Sequence, residues 1–174
     1  VSLACSETIR LPSYTELNYD SPTSLGNAGL DRQHARSIEL TVTTPLAEGC
    51  RLRAQAFHRR ESDAVDWIRQ QPGGPWQAAN LRSLDVLGLA LGVEAKVGTS
   101  LRIGLDGQIL RKRTDDEPHA SRYVLDYPQA QVRLTATWQA ASWCELRFEQ
   151  GVARWQDNPE RSTERTACIA GFEA

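Results

Sequence analysis

The chain has 174 residues, of which 24% are charged and 40% hydrophobic, so it fits one ordinary domain and is not a disordered tail. Its formal net charge of -2 and pI near 6.0 exclude the strongly basic field typical of a nucleic-acid-binding domain. The longest apolar run, 86–93, is far shorter than the roughly 20 residues of a membrane helix, whereas the alternating strands of a membrane β-barrel remain compatible with this composition.

Eight β-strands are predicted in chain order, because apolar and polar residues alternate along them. They cover about residues 1–9, 35–46, 50–59, 83–95, 100–111, 122–138, 142–155 and 163–174. In segment 37–43, for example, every second residue is apolar, whereas a helix would need apolar spacings of three and four. Since successive side chains of a strand point to opposite faces, each strand has an apolar face and a polar face.

The connections between the predicted strands alternate in length. Short turns are predicted at 47–49, 96–99 and 139–141, and longer loops at 10–34, 60–82, 112–121 and 156–162. Short periplasmic turns at one end and long extracellular loops at the other are typical of an outer-membrane barrel. The sequence therefore favours an all-β fold, namely a segment of an antiparallel up-and-down transmembrane β-barrel with about eight strands.

The polar face of these strands is heavily charged, which suits the wet interior of a large barrel. Its charged residues are Glu39, Arg51, Arg53, Arg102, Asp106, Arg133, Glu145, Arg147 and Glu149. Aromatic residues lie near the strand ends, where the two interfacial girdles of a membrane barrel belong. Trp138 and Trp143 flank one short turn, and Tyr123, Tyr127 and Trp155 lie near the long loops.

The four cysteines, Cys5, Cys50, Cys144 and Cys168, contain no CxxC pair, so a zinc or dithiol site is not indicated. Pairing of the last two strands places Cys168 opposite a residue near 150. That is about 20 Å from Cys144 along the strand, too far for a disulfide. Cys5 and Cys50 fall on strands that are not neighbours in a meander, so we expect free cysteines.

No catalytic motif of the HExxH, P-loop or G-x-S-x-G type occurs, and no cofactor or metal site is predicted. The three histidines, all in or beside loops, are expected to be solvated. The acidic triplet 115–117 lacks EF-hand spacing, and we expect a solvated loop tip there. The basic triplet 111–113 either pairs with lipopolysaccharide phosphates at headgroup level or marks a strand end.

Two ordered motifs occupy residues 9–30, IRLPSYTELNYDSPTSLGNAGL. The first, at 10–19, has the form R-x-P-S-Y-T-E-L-x-Y, and the second, at 26–30, has the form G-N-x-x-L; the pair Glu39-Leu40 follows in the next strand. In order and spacing this resembles the barrel of TonB-dependent outer-membrane receptors. Those barrels carry R-x-P-S/T-F/Y-T-E/D-L-x-Y, then G-N-x-x-L, then a strand with E-L.

Three downstream segments extend the resemblance over most of residues 1–95. Segment 56–59, AFHR, resembles the family's A-F-Y-R, and segment 63–68, DAVDWI, resembles D-x-I-D-W-V. Segment 76–80, WQAAN, resembles W-x-A-x-N. Beyond residue 95 the likeness continues mainly as the alternating strand pattern.

The resemblance implies that residues 1–174 are the C-terminal portion of such a barrel in the bacterial outer membrane, without the plug domain and TonB box. A chain that begins with Val and contains no Met agrees with a processed protein or a fragment. The implied function is non-enzymatic uptake of a scarce nutrient, such as a siderophore-type metal chelate or a cobalamin-like ligand. The TonB complex would energise uptake through the missing plug. Outer-membrane lipid is a further expected partner, and nucleic acid is not.

In receptors of this family the ligand binds between the extracellular loops and the plug. The resemblance therefore implies that loops 10–34 and 60–82 contribute to the binding surface. Their aromatic side chains are the candidate ligand contacts: Tyr14, Tyr19, Trp67 and Trp76. Packing within the loops is the alternative role for the same aromatics.

Two other interpretations remain open from the sequence. One is a self-standing eight-stranded outer-membrane barrel with a structural or adhesion role, in which the interior charges would pair with one another. The other is a soluble β-sandwich binding module, whose strands would also alternate. Dependence on detergent separates both membrane interpretations from the sandwich.

Overall fold

The computed structural model describes residues 1–116, 118–161 and 164–173, and the described residues form one β-sheet with a short helix. Eight long strands build the sheet: β1 Ser2–Arg10, β4 Gln33–Ala47, β5 Cys50–Arg69, β6 Trp76–Val97, β7 Leu101–Thr114, β9 Pro128–Ala141, β10 Cys144–Trp155 and β11 Thr166–Glu173. Four small elements lie in the loops: α1 Tyr14–Asn18, β2 Asp20–Ser21, β3 Ser24–Leu25 and β8 Ala120–Ser121. In the described part of the chain, no helix is both long enough and apolar enough to cross a membrane.

The long strands pair in the order β1-β4-β5-β6-β7-β9-β10-β11, and each is antiparallel to the next. This up-and-down order confirms the predicted all-β fold with about eight strands. The strands form one continuous sheet rather than two packed sheets, so the β-sandwich interpretation is wrong. Within the described residues β1 pairs only with β4 and β11 only with β10, so the sheet is open at both edges.

Short turns join the strands at one end of the sheet, as predicted. They connect β4 to β5, β6 to β7 and β9 to β10. Gly49 and Gly98 supply left-handed backbone in two of these turns, with φ of 73° and 62°. Glycine reaches this region without the steric penalty that a Cβ imposes, which allows such tight reversals.

One face of the sheet, which we call the outer face, is apolar and exposed. The pairing register aligns Leu40, Ala56, Leu89, Ile109 and Ala130 in a single row across five strands. Leu89 is 47% and Ile109 55% exposed, although both are large aliphatic residues. A continuous apolar face of this size is what lipid contact requires and what a protein in water avoids.

The opposite face, which we call the inner face, is polar and charged. A representative row joins Arg53, Gly92, Asp106 and Arg133 across four strands. These residues line a concavity of about 280 Å³ together with glutamines of three strands. In the part of the sheet nearer the short turns, apolar residues on the outer face and charged residues on the inner face confirm the alternation found in the sequence.

The structure corrects the predicted boundaries at the other end of the sheet, which we call the long-loop end. Segment 60–82, predicted as a loop, belongs to β5 and β6, and only residues 70–75 connect them. The strand predicted to start at 122 starts at Pro128, because 122–127 folds back over β5. Proline donates no ladder hydrogen bond and therefore suits the first position of a strand.

A compact apolar core lies at the long-loop end. Its buried residues are Ala64, Ile68, Leu81, Leu84 and Val86. Partly buried side chains from β7 and from segment 122–127 pack against it, among them Leu110 and Leu125. This core holds the loops against the sheet and so determines the shape of the long-loop end.

The pairing register tests the prediction of free cysteines, and the exposure of the aromatic side chains tests the predicted girdles. Cys168 lies opposite Val152, close to the predicted position, and all four cysteines are free thiols. Trp138 and Trp143 are 49% and 87% exposed beside a short turn, as an interfacial girdle requires. The girdle role of Tyr127 is wrong, because this residue is only 6% exposed and its hydroxyl accepts a hydrogen bond from the Lys112 backbone.

Candidate functional site

The first motif of the sequence folds into α1 and its cap. Ser13 is the N-cap, and its hydroxyl accepts a hydrogen bond from the backbone of Glu16 while the Glu16 carboxylate accepts one from the backbone of Ser13. This reciprocal pair is a capping box, which satisfies amide groups that a short helix leaves free. Arg10, at the end of β1, donates to the same carboxylate at 2.6 Å.

Glu16 is the anchor of this loop, with only 8% of its surface exposed. Burial raises the pKa of its carboxyl, but the hydrogen bonds from Arg10 and Ser13 and the charge of Arg10 outweigh burial. The net result is a pKa below the ordinary value of 4.5. The ionised carboxylate therefore ties β1 to α1 at neutral pH.

The second motif closes the same loop. Gly26 donates a backbone hydrogen bond to Tyr19 and Asn27 donates one to Glu16, at 2.6 and 2.8 Å. A Cβ on Gly26 would lie 2.7 Å from the Tyr19 nitrogen and 3.0 Å from the Glu16 oxygen, so only glycine fits here. The two motifs that carry the family resemblance are thus the two halves of one packed loop.

Asn80 on β6 connects this loop to the sheet. Its side-chain oxygen accepts a hydrogen bond from the Asp31 backbone at 2.8 Å, and its amide donates to the Asp31 carbonyl at 3.1 Å. The same amide donates to the Asp63 carbonyl at 2.7 Å, where the backbone takes a left-handed φ of 57°. Segment 76–80 therefore contacts segment 63–68 and Asp31, the residue that directly follows the motif at 26–30.

Two of the predicted ligand contacts meet in this structure. The rings of Tyr19 and Trp67 pack edge-to-face with centroids 6.0 Å apart. Trp67 is buried, at 9% exposure, whereas Tyr19 is 48% exposed. Trp67 therefore serves as the support for Tyr19, which presents the free part of its ring to solvent.

The other two predicted contacts lie apart from this pair. Trp76 begins β6 and is flanked by two cations: the guanidinium carbons of Arg69 and Arg122 lie 4.4 and 5.6 Å from the ring centroid. Tyr14 on α1 is 82% exposed. Besides the Tyr19–Trp67 pair, the long-loop end thus carries the exposed Tyr14 and the half-buried Trp76. Sequence reasoning missed both arginines, because only the fold brings them to Trp76.

Asp66 is a second anchor that sequence reasoning missed as a site residue. It is 1% exposed and accepts hydrogen bonds from the backbone of Trp67, Tyr123 and Val124 at 2.8, 3.2 and 3.1 Å and from the Ser121 hydroxyl. Burial raises the pKa of this carboxyl, and the four hydrogen bonds oppose that rise. Asp66 thereby fixes segment 121–124 to β5.

The segment 156–161 docks beside Asp66 through charged groups. Glu160 accepts from Arg69 at 2.6 Å and lies 3.7 Å from the His119 ring nitrogen. Asn158 donates to the Ser121 carbonyl at 3.5 Å. Three loops distant in sequence therefore meet around the end of β5, next to Trp76.

The acidic triplet behaves differently from the expected solvated loop tip. Asp116 accepts a hydrogen bond from the Arg82 backbone at 2.7 Å, and Asp115 accepts one from the Ser83 hydroxyl at 2.5 Å. Glu117, the third member, lies outside the described residues. Across 1–116, 118–161 and 164–173, no three His, Cys, Asp or Glu side chains come together as metal ligands.

Comparison with known proteins identifies solved structures that share this architecture. No protein-family model and no curated protein matches the chain. Among solved structures it resembles the copper transporter OprC, with a TM-score of 0.66 and 16% identity over 98% of this chain. It also resembles the FrpB iron transporter from Neisseria meningitidis (F3-3 variant), with a TM-score of 0.50 and 13% identity over 76% of this chain.

The chain spans only 27% of the OprC chain and 20% of the FrpB chain. Their names identify them as transporters of copper and of iron. The resemblance in the sequence and the likeness of the structures agree. This chain therefore has the fold of a part of the β-barrel of TonB-dependent outer-membrane transporters.

Proposed function

We propose that this chain forms part of the barrel of a bacterial outer-membrane transporter and that it acts in transport rather than catalysis. One observation supports this most strongly: the sheet has an exposed apolar outer face, and its opposite, inner face is charged from β4 to β10. A soluble protein gains nothing by exposing such a face, whereas a membrane strand must. The membrane would lie against the outer face, and the inner face would line the barrel interior.

The proposed cargo is a scarce metal nutrient, in the form of a siderophore-type chelate, or a cobalamin-like ligand. The two structural neighbours are named for transport of copper and of iron, which supports a metal-containing cargo. Uptake against a gradient needs energy, and we propose that the TonB complex supplies it through a plug domain inside the barrel. The charged inner face supplies hydrogen-bonding groups for such a plug.

The proposed ligand surface is the long-loop end. Tyr14 and Tyr19 are exposed there and Trp76 is half-buried; all three are proposed as direct contacts, while Trp67 supports Tyr19 from below. Arg122 beside Trp76 adds positive charge that would favour an anionic chelate, whereas the charge of Arg69 is already paired with Glu160.

Uptake by cells that express the full-length protein carrying this chain tests the proposal. The probes are radioactive copper and iron, each as the simple salt and as a chelate, together with labelled cobalamin. We expect one probe to accumulate only when the protein is present and the TonB complex is intact. Equal accumulation of every probe with and without the protein would overturn the transport function, and accumulation without TonB would overturn its energisation.

A further inference from the structure

The Glu160 carboxylate binds a cation directly beside the proposed ligand surface. One of its oxygens accepts a hydrogen bond from Arg69 at 2.6 Å, and the other lies 3.7 Å from the ring nitrogen of His119. The guanidinium carbon of the same Arg69 lies 4.4 Å from the centre of the Trp76 ring. Arg69 therefore contacts the proposed ligand contact Trp76 and the carboxylate of Glu160 at the same time.

The Arg69–Glu160 pair is shielded from water but does not use all the donors of the guanidinium. The two side chains are only 16% and 27% exposed. The Nε–H of Arg69 is buried and, among the described residues, has no hydrogen-bond partner. A guanidinium offers planar pairs of donors to an oxyanion, and a buried donor without a partner is costly. An oxyanion that binds Nε together with a terminal nitrogen would therefore compete with Glu160 for Arg69.

The second cation at Trp76 is not occupied in this way. The guanidinium carbon of Arg122 lies 5.6 Å from the ring centre of Trp76 and 5.8 Å from that of Tyr123. The ion pairs formed within 1–116, 118–161 and 164–173 do not include Arg122. An anion that approaches Trp76 thus meets one cation that is ready to bind it and one, Arg69, that already holds a carboxylate.

Glu160 lies on segment 156–161, between β10 and β11, which side-chain contacts hold in place. The backbone of Glu160 donates a hydrogen bond to the Asn158 side chain at 3.0 Å, and Asn158 donates to the Ser121 carbonyl at 3.5 Å. The Arg69–Glu160 contact ties the segment to the end of β5. Since a loop held by a few side chains opens at low cost, loss of this contact would loosen the segment.

We propose that Glu160 is an internal competitor for the anionic part of the cargo. It neutralises Arg69 while the site is empty, and an oxyanion of the ligand displaces it from Arg69 and frees segment 156–161. A weakly bound anion is excluded, because only a ligand that also gains contacts at Trp76 and Arg122 can displace the carboxylate. This inference rests on the proposed function and names anionic metal chelates as its substrate class, with Glu160 as a specificity-determining residue.

Binding of chelates to the full-length protein carrying this chain tests the competition. The purified protein in detergent is titrated with two anionic chelates, iron(III) citrate and copper(II) citrate, and with the neutral iron(III) complex of a trihydroxamate. The variant E160Q removes the competitor, and R69Q removes the cation. The control D157N removes a carboxylate from the same segment, one that pairs with Arg165 instead.

We expect E160Q to bind an anionic chelate about fivefold more tightly than the unchanged protein, and D157N to bind it equally. In an R69Q background E160Q should have no effect, because the shared cation is gone. Unchanged or weaker binding in E160Q, an equal gain in D157N, or an equal gain for the neutral chelate would overturn the competition. Failure of both anionic chelates to bind the unchanged protein would overturn it too.

Hydrogen exchange provides a measurement that needs no variant. A saturating anionic chelate should raise the exchange rate of segment 156–161, whereas a lower rate would mean that the segment closes over the ligand and would overturn its release. Uptake by cells separates this inference from the proposed function. TonB-dependent import of the neutral chelate or cobalamin, without a preference for anions, overturns this inference alone; import of no probe overturns both.

Discussion

At the scale of single residues, a few buried or half-buried polar side chains determine the geometry of the long-loop end. Glu16 accepts hydrogen bonds from Arg10 and Ser13 within its own loop, whereas Asp66 and Asn80 bond to segments distant in sequence. Buried polar groups that satisfy backbone amides are costly to replace, because the loss leaves those amides without a partner. These residues therefore give the clearest single-site predictions.

Replacing Asp66 with Asn should release segment 121–124 from β5. The carboxylate accepts from three backbone amides and the Ser121 hydroxyl, and an amide side chain would turn a donor towards some of them. Each unsatisfied amide costs about 1–3 kcal/mol. Hydrogen exchange should show a loss of protection in 121–124 for D66N, and none for D20N, which changes an exposed aspartate. Equal protection in both variants would contradict the anchoring role.

Acid should loosen the loop that Glu16 holds. Its folded-state pKa is lowered from 4.5, so the unfolded loop binds more protons than the folded loop in the window below 4.5. The stabilisation is therefore complete above that window and is lost as pH falls through it. Hydrogen exchange of α1 as a function of pH measures this. The variant E16Q should abolish the pH dependence, and an unchanged dependence in E16Q would assign it to another group.

Trp76 allows the proposed ligand surface to be tested by one side chain. W76A removes the ring that Arg69 and Arg122 flank, so we expect the concentration of cargo that gives half-maximal uptake to rise about tenfold. The control is W143A, at a short turn on the opposite end of the sheet. If both variants raise this concentration equally, Trp76 has no specific part in ligand binding.

At the scale of elements, the strands could be predicted from the sequence, but their boundaries at the long-loop end could not. Period-two alternation identified every long strand, because one face is apolar and the other charged. Residues 64–68 break this pattern, since all five are buried. A strand covered on both sides does not alternate, and so this end of β5 was predicted as loop. Its cover comes from segments near 121–127, which sequence position does not reveal.

The loop formed by the motifs at 10–19 and 26–30 could be identified from the sequence, unlike the end of β5. Its sequence was informative through the family resemblance, while the reason for the motif appears only in the structure. Arg10, Ser13 and Glu16 form a cap and an ion pair, and Gly26 allows the chain to return against α1. Of the four predicted ligand contacts, the structure joins Tyr19 to Trp67 and leaves Tyr14 and Trp76 apart; their ligand role stays a prediction.

Gly26 provides the test of this loop as a unit. A methyl group there would lie 2.7 Å from the Tyr19 nitrogen, which forces the backbone apart. We expect G26A to destabilise the loop by about 1–3 kcal/mol, the usual cost of overpacking. Hydrogen exchange of Leu17 and Tyr19 reports the change. The matched control is G171A, where nothing lies within 4 Å of the added methyl group. Unchanged exchange in G26A would show that the loop is not closely packed.

At the scale of the whole molecule, the separation of the two faces is the central property of the chain. The apolar outer face and the charged inner face are clearest from β4 to β10, and the loops gather at one end. The alternation of the sequence predicted both faces. It could not specify what covers each face, because a solvated face and a barrel interior have the same composition.

The most direct measurement asks which face meets lipid. Leu89 and Ala90 are adjacent on β6 but point to the outer and the inner face. Each is replaced by cysteine in a C5S/C50S/C144S/C168S background of the full-length protein, labelled with a fluorophore, and studied in isolated outer membranes.

We expect nitroxide lipids to quench the label at L89C and a water-soluble quencher to reach the label at A90C. Equal access of the aqueous quencher to both positions, or lipid quenching at A90C alone, would contradict the membrane-barrel account.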